Sequence, residues 1–274
     1  MTGVSLVRHD HRRKFRDRRC SRAEAHCVSV SLSPKHFAQG VFMRTIGLIG
    51  GMSWQSSAEY YRIINETVQA RLGPLRSAEM LMFSVDFGPI ERAQHEGRWA
   101  DAGALLQQAA KRLEAGGAEC VVLCTNTMHK LADMIEDAVS IPLLHVADPA
   151  GEAARARGLT CVGLLGTAFT MEQDFIKSRL KERFGLDVLT PDAPDREVVH
   201  RIIYDELCVG IVKDTSLAAY QDIMARLASR GAQAIILGCT EISLLVKPED
   251  NALVLLDTTA LHAQAAVAFA LGSH

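Results

Sequence analysis

The chain contains its own plan twice. IGLIG at 46–50 returns as VGLLG at 162–166, and GGAECVVLCTN at 116–126 returns as RGAQAIILGCTE at 230–241. The separations agree: Gly47 to Gly163 is 116 residues, Gly117 to Gly231 is 114, and Cys124 to Cys239 is 115. Three landmarks that hold one offset to within two residues mark an internal duplication. Each landmark is a short, continuous apolar run. Strands that lack polar alternation are buried on both faces, the pattern of parallel sheets covered by helices.

The segments between the landmarks agree with this. Thr45–Gly50 reads as a first strand. Tyr61, Ile64, Val68 and Leu72 then fall on one helical face, with Gly73-Pro74 as the stop. Met80–Val85 is a second strand, and Leu105, Leu106, Ala109, Ala110 and Leu113 mark a helix ended by Gly116-Gly117. Cys120–Cys124 is a third strand, Thr127–Val139 reads as helix, and Thr258–Leu271 is a last helix expected to return to the first half. The expected fold is α/β: two pseudo-symmetric lobes, each a parallel sheet flanked by helices, with an active site in the cleft between them. Residues 43–142 plus 257–274 would form the first lobe and 143–256 the second. Both landmark strands lead into the cleft at their carboxyl ends, where open α/β sheets bind ligands.

Composition narrows the function classes. With 274 residues and 48 % hydrophobic content the chain has material for a sizeable core. Its net charge of −2 conceals nine Lys or Arg against three acids in residues 1–42, which leaves a mildly acidic body. Such a body offers no electrostatic attraction for nucleic acid or an anionic membrane, and no apolar run is of spanning length. Residues 1–42 lack hydrophobic period and read as a disordered basic extension, or as sequence upstream of a functional start at Met43. No apolar region follows the basic stretch, so it is not a secretory signal, and Asp10, Asp17 and Glu24 count against a mitochondrial transit peptide. The seven cysteines form no C-x-x-C pair, which suits reduced thiols and a cytoplasmic setting.

Each half closes a buried strand with Cys-Thr and then starts a helix: Cys124-Thr125-Asn126-Thr127 and Cys239-Thr240-Glu241. A thiol at such a turn meets free backbone N–H groups, which would lower its pKa, and the same groups can bind a carboxylate. Two such turns facing each other suit racemisation, which needs a base on one face of a carbon and an acid on the other. That chemistry needs no metal and no organic cofactor. Cys20, Cys27, Cys120, Cys161 and Cys208 have no matched context. His129, five residues after Cys124, makes no zinc site without paired ligands and reads as a satisfied helix histidine.

At these residues the chain resembles the aspartate/glutamate racemase family. The resemblance rests on GLIGGMSW (47–54), LCTNTMHK (123–130) and GCTE (238–241), and covers about 44–274. It implies cofactor-independent racemisation of an amino acid, aspartate or glutamate foremost, by proton transfer at the α-carbon. A small-molecule amino acid would be the partner, with a homodimer left open as the assembly. Cys239 would be one acid/base, with Met52, Gln94 in the loop after the second strand, Asn126, Thr127 and Thr240 contacting substrate. The family motif Cys-Asn-Thr aligns with Thr125-Asn126-Thr127, which puts Thr125 opposite Cys239. Matching the two Cys-Thr pairs puts Cys124 there instead. The glycine offset of 114 carries Thr125 onto Cys239 and so favours Thr125, while a one-residue shift at a strand end reverses the side chain. A Thr/Cys pair is similar to a bacterial subgroup acting preferentially on L-aspartate and L-glutamate. In the wider family the second-lobe cysteine serves the L-enantiomer. Aspartate racemases often carry Lys where this chain has Cys208; Arg92 and Arg196 are the available substitutes. Competing readings are a hydantoin racemase, maleate isomerase or decarboxylase on the same scaffold, and a small-acid binding paralogue without catalysis.

Overall fold

The computed structural model describes residues 42–248 and 251–272. The expectation of a disordered extension over 1–42 therefore lies outside the described residues, Phe42 apart. The elements run β1 (Ile46–Gly50), α1 (Trp54–Leu72), β2 (Met80–Ser84), α2 (Phe87–His95), α3 (Trp99–Ala115) and β3 (Cys120–Leu123). A 3-10 helix at Thr127–Leu131 is followed by α4 (Ala132–Glu136), β4 (Leu143–Leu144) and α5 (Ala147–Ala156). Then come β5 (Cys161–Gly166), α6 (Ala168–Glu172), α7 (Phe175–Phe184), β6 (Asp187–Leu189) and α8 (Ala193–Asp205). The chain continues through α9 (Asp214–Ser229), β7 (Ala234–Gly238), α10 (Ile242–Leu245), β8 (Val254–Asp257) and α11 (Thr258–Ala270).

Among the described residues eight strands form two parallel four-stranded sheets of identical order, β2-β1-β3-β4 and β6-β5-β7-β8. The duplication is thus structural. Continuous apolar strands are explained by two-sided burial. Ile46 and Leu48 of β1 pack towards α1 and α11, whereas Ile49 packs with Leu106, Ala109 and Leu113 of α3. Each fully buried aliphatic side chain contributes roughly 1.5–3 kcal/mol. The turns that feed β3 and β7 both place glycine at positive φ, Gly117 at 95° and Gly231 at 106°. A side chain there would be strained, so the shared glycine is a geometric landmark as well as a sequence one.

The backbone departs from the sequence expectations in four places. The first crossover falls later than residue 142, because Leu143–Leu144 pair with Val121–Val122 as the edge of the first sheet. The stripe of α1 is Ser56, Ser57, Tyr60, Ile64 and Val68; Tyr61 is exposed. Tyr60 goes inside because its hydroxyl finds His262 Nδ1 at 2.9 Å. Gln94 lies on helix α2, which Asp86 caps by accepting from the Gly88 N–H at 3.1 Å. The stretch after β3 is a 3-10 helix and one short α-helix in place of a single long helix. The α11 helix does return: Ala263, Ala266, Val267 and Ala270 pack with Tyr60, Ile64 and Val68 of α1.

Candidate active site

Side-chain alternation decides what the two Cys-Thr turns present. In β3, Val121 and Leu123 face α3, whereas Cys120, Val122 and Cys124 face the α1–α11 layer. Thr125, one residue on, lies in the turn after the strand, its N–H on the Leu123 carbonyl. In β7, Ile235, Leu237 and Cys239 share a face, and Ala234 and Ile236 take the other. The registers agree: Ile49 pairs with Leu123 as Leu165 pairs with Leu237. By strand register Leu123 corresponds to Leu237, Cys124 to Gly238 and Thr125 to Cys239.

A cavity of about 560 Å³, open to solvent, lies between the strand ends of the two sheets. Met52, Gln94, Thr125, Asn126, Thr127, Cys239 and Thr240 all line it; Cys124 does not. Cys124 is 0 % exposed among Tyr60, Ile64 and Ala263, and burial drives its thiol far above the usual range. Met52 reaches the cavity by way of Gly51, whose φ of +98° and close approach of a would-be Cβ to the Val85 carbonyl exclude any side chain.

Hydrogen bonds across the cleft hold the two walls together. Ser53 caps α1 by accepting from the Ser56 N–H at 3.2 Å, and its hydroxyl donates to Glu241 Oε1 at 3.1 Å. Ser56 donates to the Cys124 carbonyl at 3.1 Å, so the 2.8 Å contact with Thr240 has Thr240 as donor. On the far side Thr127 and Thr167 hydroxyls lie 3.1 Å apart. Gln94 of α2 meets Tyr204 of α8, whose hydroxyl is pushed up to about 12 by burial and then by Cys239. Asn126 is 5 % exposed, yet both polar atoms of its amide lack a partner. A buried Asn with a free donor and a free acceptor in a cavity wall is a ready contact for a zwitterion: NH₂ for carboxylate, C=O for ammonium.

The Cys239 thiol donates to Glu241 Oε2 at 3.0 Å. Burial first, then the carboxylate charge and hydrogen bond, push the thiol well above its ordinary value. The lowered pKa expected from a helix N-terminus is therefore not found. The following helix, α10, has four residues and little dipole, and Glu241 outweighs it. Among the lining residues Glu241 is the lone carboxylate and none is Lys or Arg. Arg92 is exposed, and Arg196 binds Glu172 and the Pro191 carbonyl; neither lines the cavity. Cys208 does line it, with its thiol pushed up to about 12 by burial and Glu241. Among the described residues no group of three or more His, Cys, Asp or Glu is placed to hold a metal ion, and no helix is long and apolar enough to cross a membrane.

The profile of the family described as Asp/Glu/Hydantoin racemase matches residues 49–266. The chain belongs to that family. A crystal structure from Yersinia pestis, described as a candidate Asp/Glu racemase, shares 52 % identity over 84 % of this chain and 100 % of that one, with a TM-score of 0.80. An aspartate racemase homologue from Pyrococcus horikoshii OT3 shares 31 % over 83 % and 99 %, with a TM-score of 0.74. A glutamate racemase from Roseiflexus sp. (strain RS-1) is 31 % identical over 176 residues, 60 % of this chain and 59 % of that protein. The chain thus matches less than two thirds of that relative's length.

Within the racemase fold, the residues missed by sequence reasoning are those that join the lobes. Glu241 stood inside the GCTE motif, two residues from the thiol, and its type was a sufficient signal. Ser53, Ser56 and Thr167 carried none, since an isolated hydroxyl beside a helix start reads as a cap.

Proposed function

We propose that the chain racemises an amino acid without a cofactor, with Thr125 and Cys239 as the acid/base pair on opposite faces of the α-carbon. The observation that carries this reading is the equivalence of the two residues by strand register, with both side chains lining one cavity. Cys239 starts as a thiol bonded to Glu241, which can accept its proton and leave the thiolate. The thiolate removes the α-proton of the L-enantiomer. Charge then spreads into the substrate carboxylate, where Asn126, Thr127 and Thr240 supply donors. Thr125 delivers its hydroxyl proton to the opposite face and is reprotonated from solvent, while Cys239 keeps the α-proton as its thiol and Glu241 releases to the medium the proton it took, which restores the starting pair. No group is consumed, so the reaction is a proton exchange with inversion.

Aspartate or glutamate is the substrate that the family membership supports. A second reading of the side-chain specificity has one observation in its favour: the lining holds no Lys or Arg to meet a distal carboxylate, and offers Phe87, Ile203, Tyr204 and Cys208 instead. A panel of acidic and small uncharged L- and D-amino acids, followed by α-proton exchange in D₂O and by chiral chromatography, separates these. Exchange with inversion of any member supports the racemase; binding without exchange would replace it with a small-acid binding protein.

A further inference from the structure

Behind the Thr125 turn, away from the cavity, three buried imidazoles meet. His129 and His145 have ring centroids 4.6 Å apart, and His129 and His262 5.7 Å. Their protonation states are fixed by their partners. The Val146 N–H can only donate, and it lies 3.1 Å from His129 Nε2, so that nitrogen is an acceptor. The proton of His129 is therefore on Nδ1, 2.7 Å from the Thr125 carbonyl, to which it donates. His262 donates from Nε2 to the Leu144 carbonyl at 2.6 Å and accepts from Tyr60. His145 Nδ1 accepts from the Ala147 N–H at 3.2 Å. Every acceptor nitrogen named is occupied, so these rings are neutral scaffolding and not a metal site.

One end of this scaffold is a peptide plane of the candidate active site. The Thr125 carbonyl belongs to the Thr125–Asn126 peptide, and its orientation sets where the Thr125 hydroxyl and the Asn126 amide point. The Thr125 N–H is held to the Leu123 carbonyl at 2.8 Å, so the turn is clamped on both sides. The other end of His129 grips Val146, at the crossover from the first sheet to α5. Resting on the racemase reading above, we propose that His129 is a positioning residue for Thr125. It holds the first-lobe proton donor in line with the α-carbon and ties that alignment to the crossover between the lobes.

The test uses the full chain and L-aspartate in D₂O, or whichever L-amino acid the wild type inverts fastest. Two rates are read together: α-deuterium incorporation with retention, which needs Cys239 alone, and inversion, which also needs Thr125. His129→Leu removes the donor and the acceptor. It should lower inversion by about tenfold or more, since small misplacements of reacting groups are costly, while exchange with retention stays within about twofold. His129→Asn keeps an amide donor near the Nδ1 position and should restore inversion to within about threefold; His129→Gln, whose amide reaches the Nε2 position, should not. Parallel loss of both rates in folded His129→Leu would mean a purely structural role. If that variant does not fold, equal inversion in the Asn and Gln variants overturns the proposal. A wild-type chain that neither exchanges nor inverts any amino acid would instead overturn the racemase reading, and the positioning role with it.

Discussion

Lowering the pH from 7 to 5 should destabilise the fold steeply, because three imidazoles are buried neutral. Burial pushes His145 down to about 3 and His262 to about 4, and burial with the two neighbouring rings holds His129 well below the ordinary value. A histidine depressed in the folded state stabilises the fold above its unfolded value, about 6.5, and loses that contribution as pH falls. Between pH 7 and 5 the unfolded chain takes up these protons and the folded chain does not. Each group then withdraws about 2 kcal/mol, and the three together about 6. For a domain of this size 1 kcal/mol moves Tm by roughly 2–4 °C, so Tm should fall by about 12–24 °C. Thermal melts followed by circular dichroism at the two pH values measure this directly. His145→Asn, which keeps an acceptor for the Ala147 N–H, should remove about a third of the pH dependence. A Tm that moves by less than about 3 °C would refute the argument, because these rings would then be protonated in the folded chain or unburied.

Three further outcomes follow from the site. Cys124→Ala deletes a fully buried sulfur and should cost about 1 kcal/mol of stability, as a single buried methyl does, with racemisation within about twofold of wild type. Glu241→Gln removes both the charge that holds the thiol protonated and the group that takes its proton, so alkylation of Cys239 by iodoacetamide at pH 7 should speed up while racemisation slows; unchanged racemisation would mean that Glu241 is not the acceptor. Thr125→Cys puts a stronger base on the first-lobe face and should raise kcat from the D-enantiomer. As the equilibrium constant for racemisation is one, kcat/KM must remain equal in the two directions, so any asymmetry in kcat must reappear in KM.

The fold was legible because duplication and two-sided burial both write themselves into sequence: IGLIG and VGLLG, or CVVL and AIILG, have few alternatives to buried parallel strands. The placing of Thr125 was legible from glycine. Gly117 and Gly231 are fixed by positive φ, whereas cysteine identity is not fixed by geometry, so pairing the two cysteines misleads by one residue. What escaped were features set by tertiary partners. Tyr60 rather than Tyr61 turns inward because His262, two hundred residues on, offers an acceptor. Helix α2 around Gln94 is short and capped by one aspartate, too brief for its period to register. The raised Cys239 thiol could not be read from a helix-start argument, since it depends on α10 being one turn long and on Glu241 folding back. His129 read as a satisfied histidine; the sequence did not say that it satisfies the Thr125 carbonyl.

The assignment of the acid/base pair is tested most directly by racemisation rates of three alanine variants under one set of conditions. Cys239→Ala should abolish inversion from both enantiomers, Thr125→Ala should lower it by about a hundredfold or more, and Cys124→Ala should leave it nearly unchanged. A dead Cys124→Ala beside an active Thr125→Ala would contradict the assignment and make the chain a two-thiol racemase.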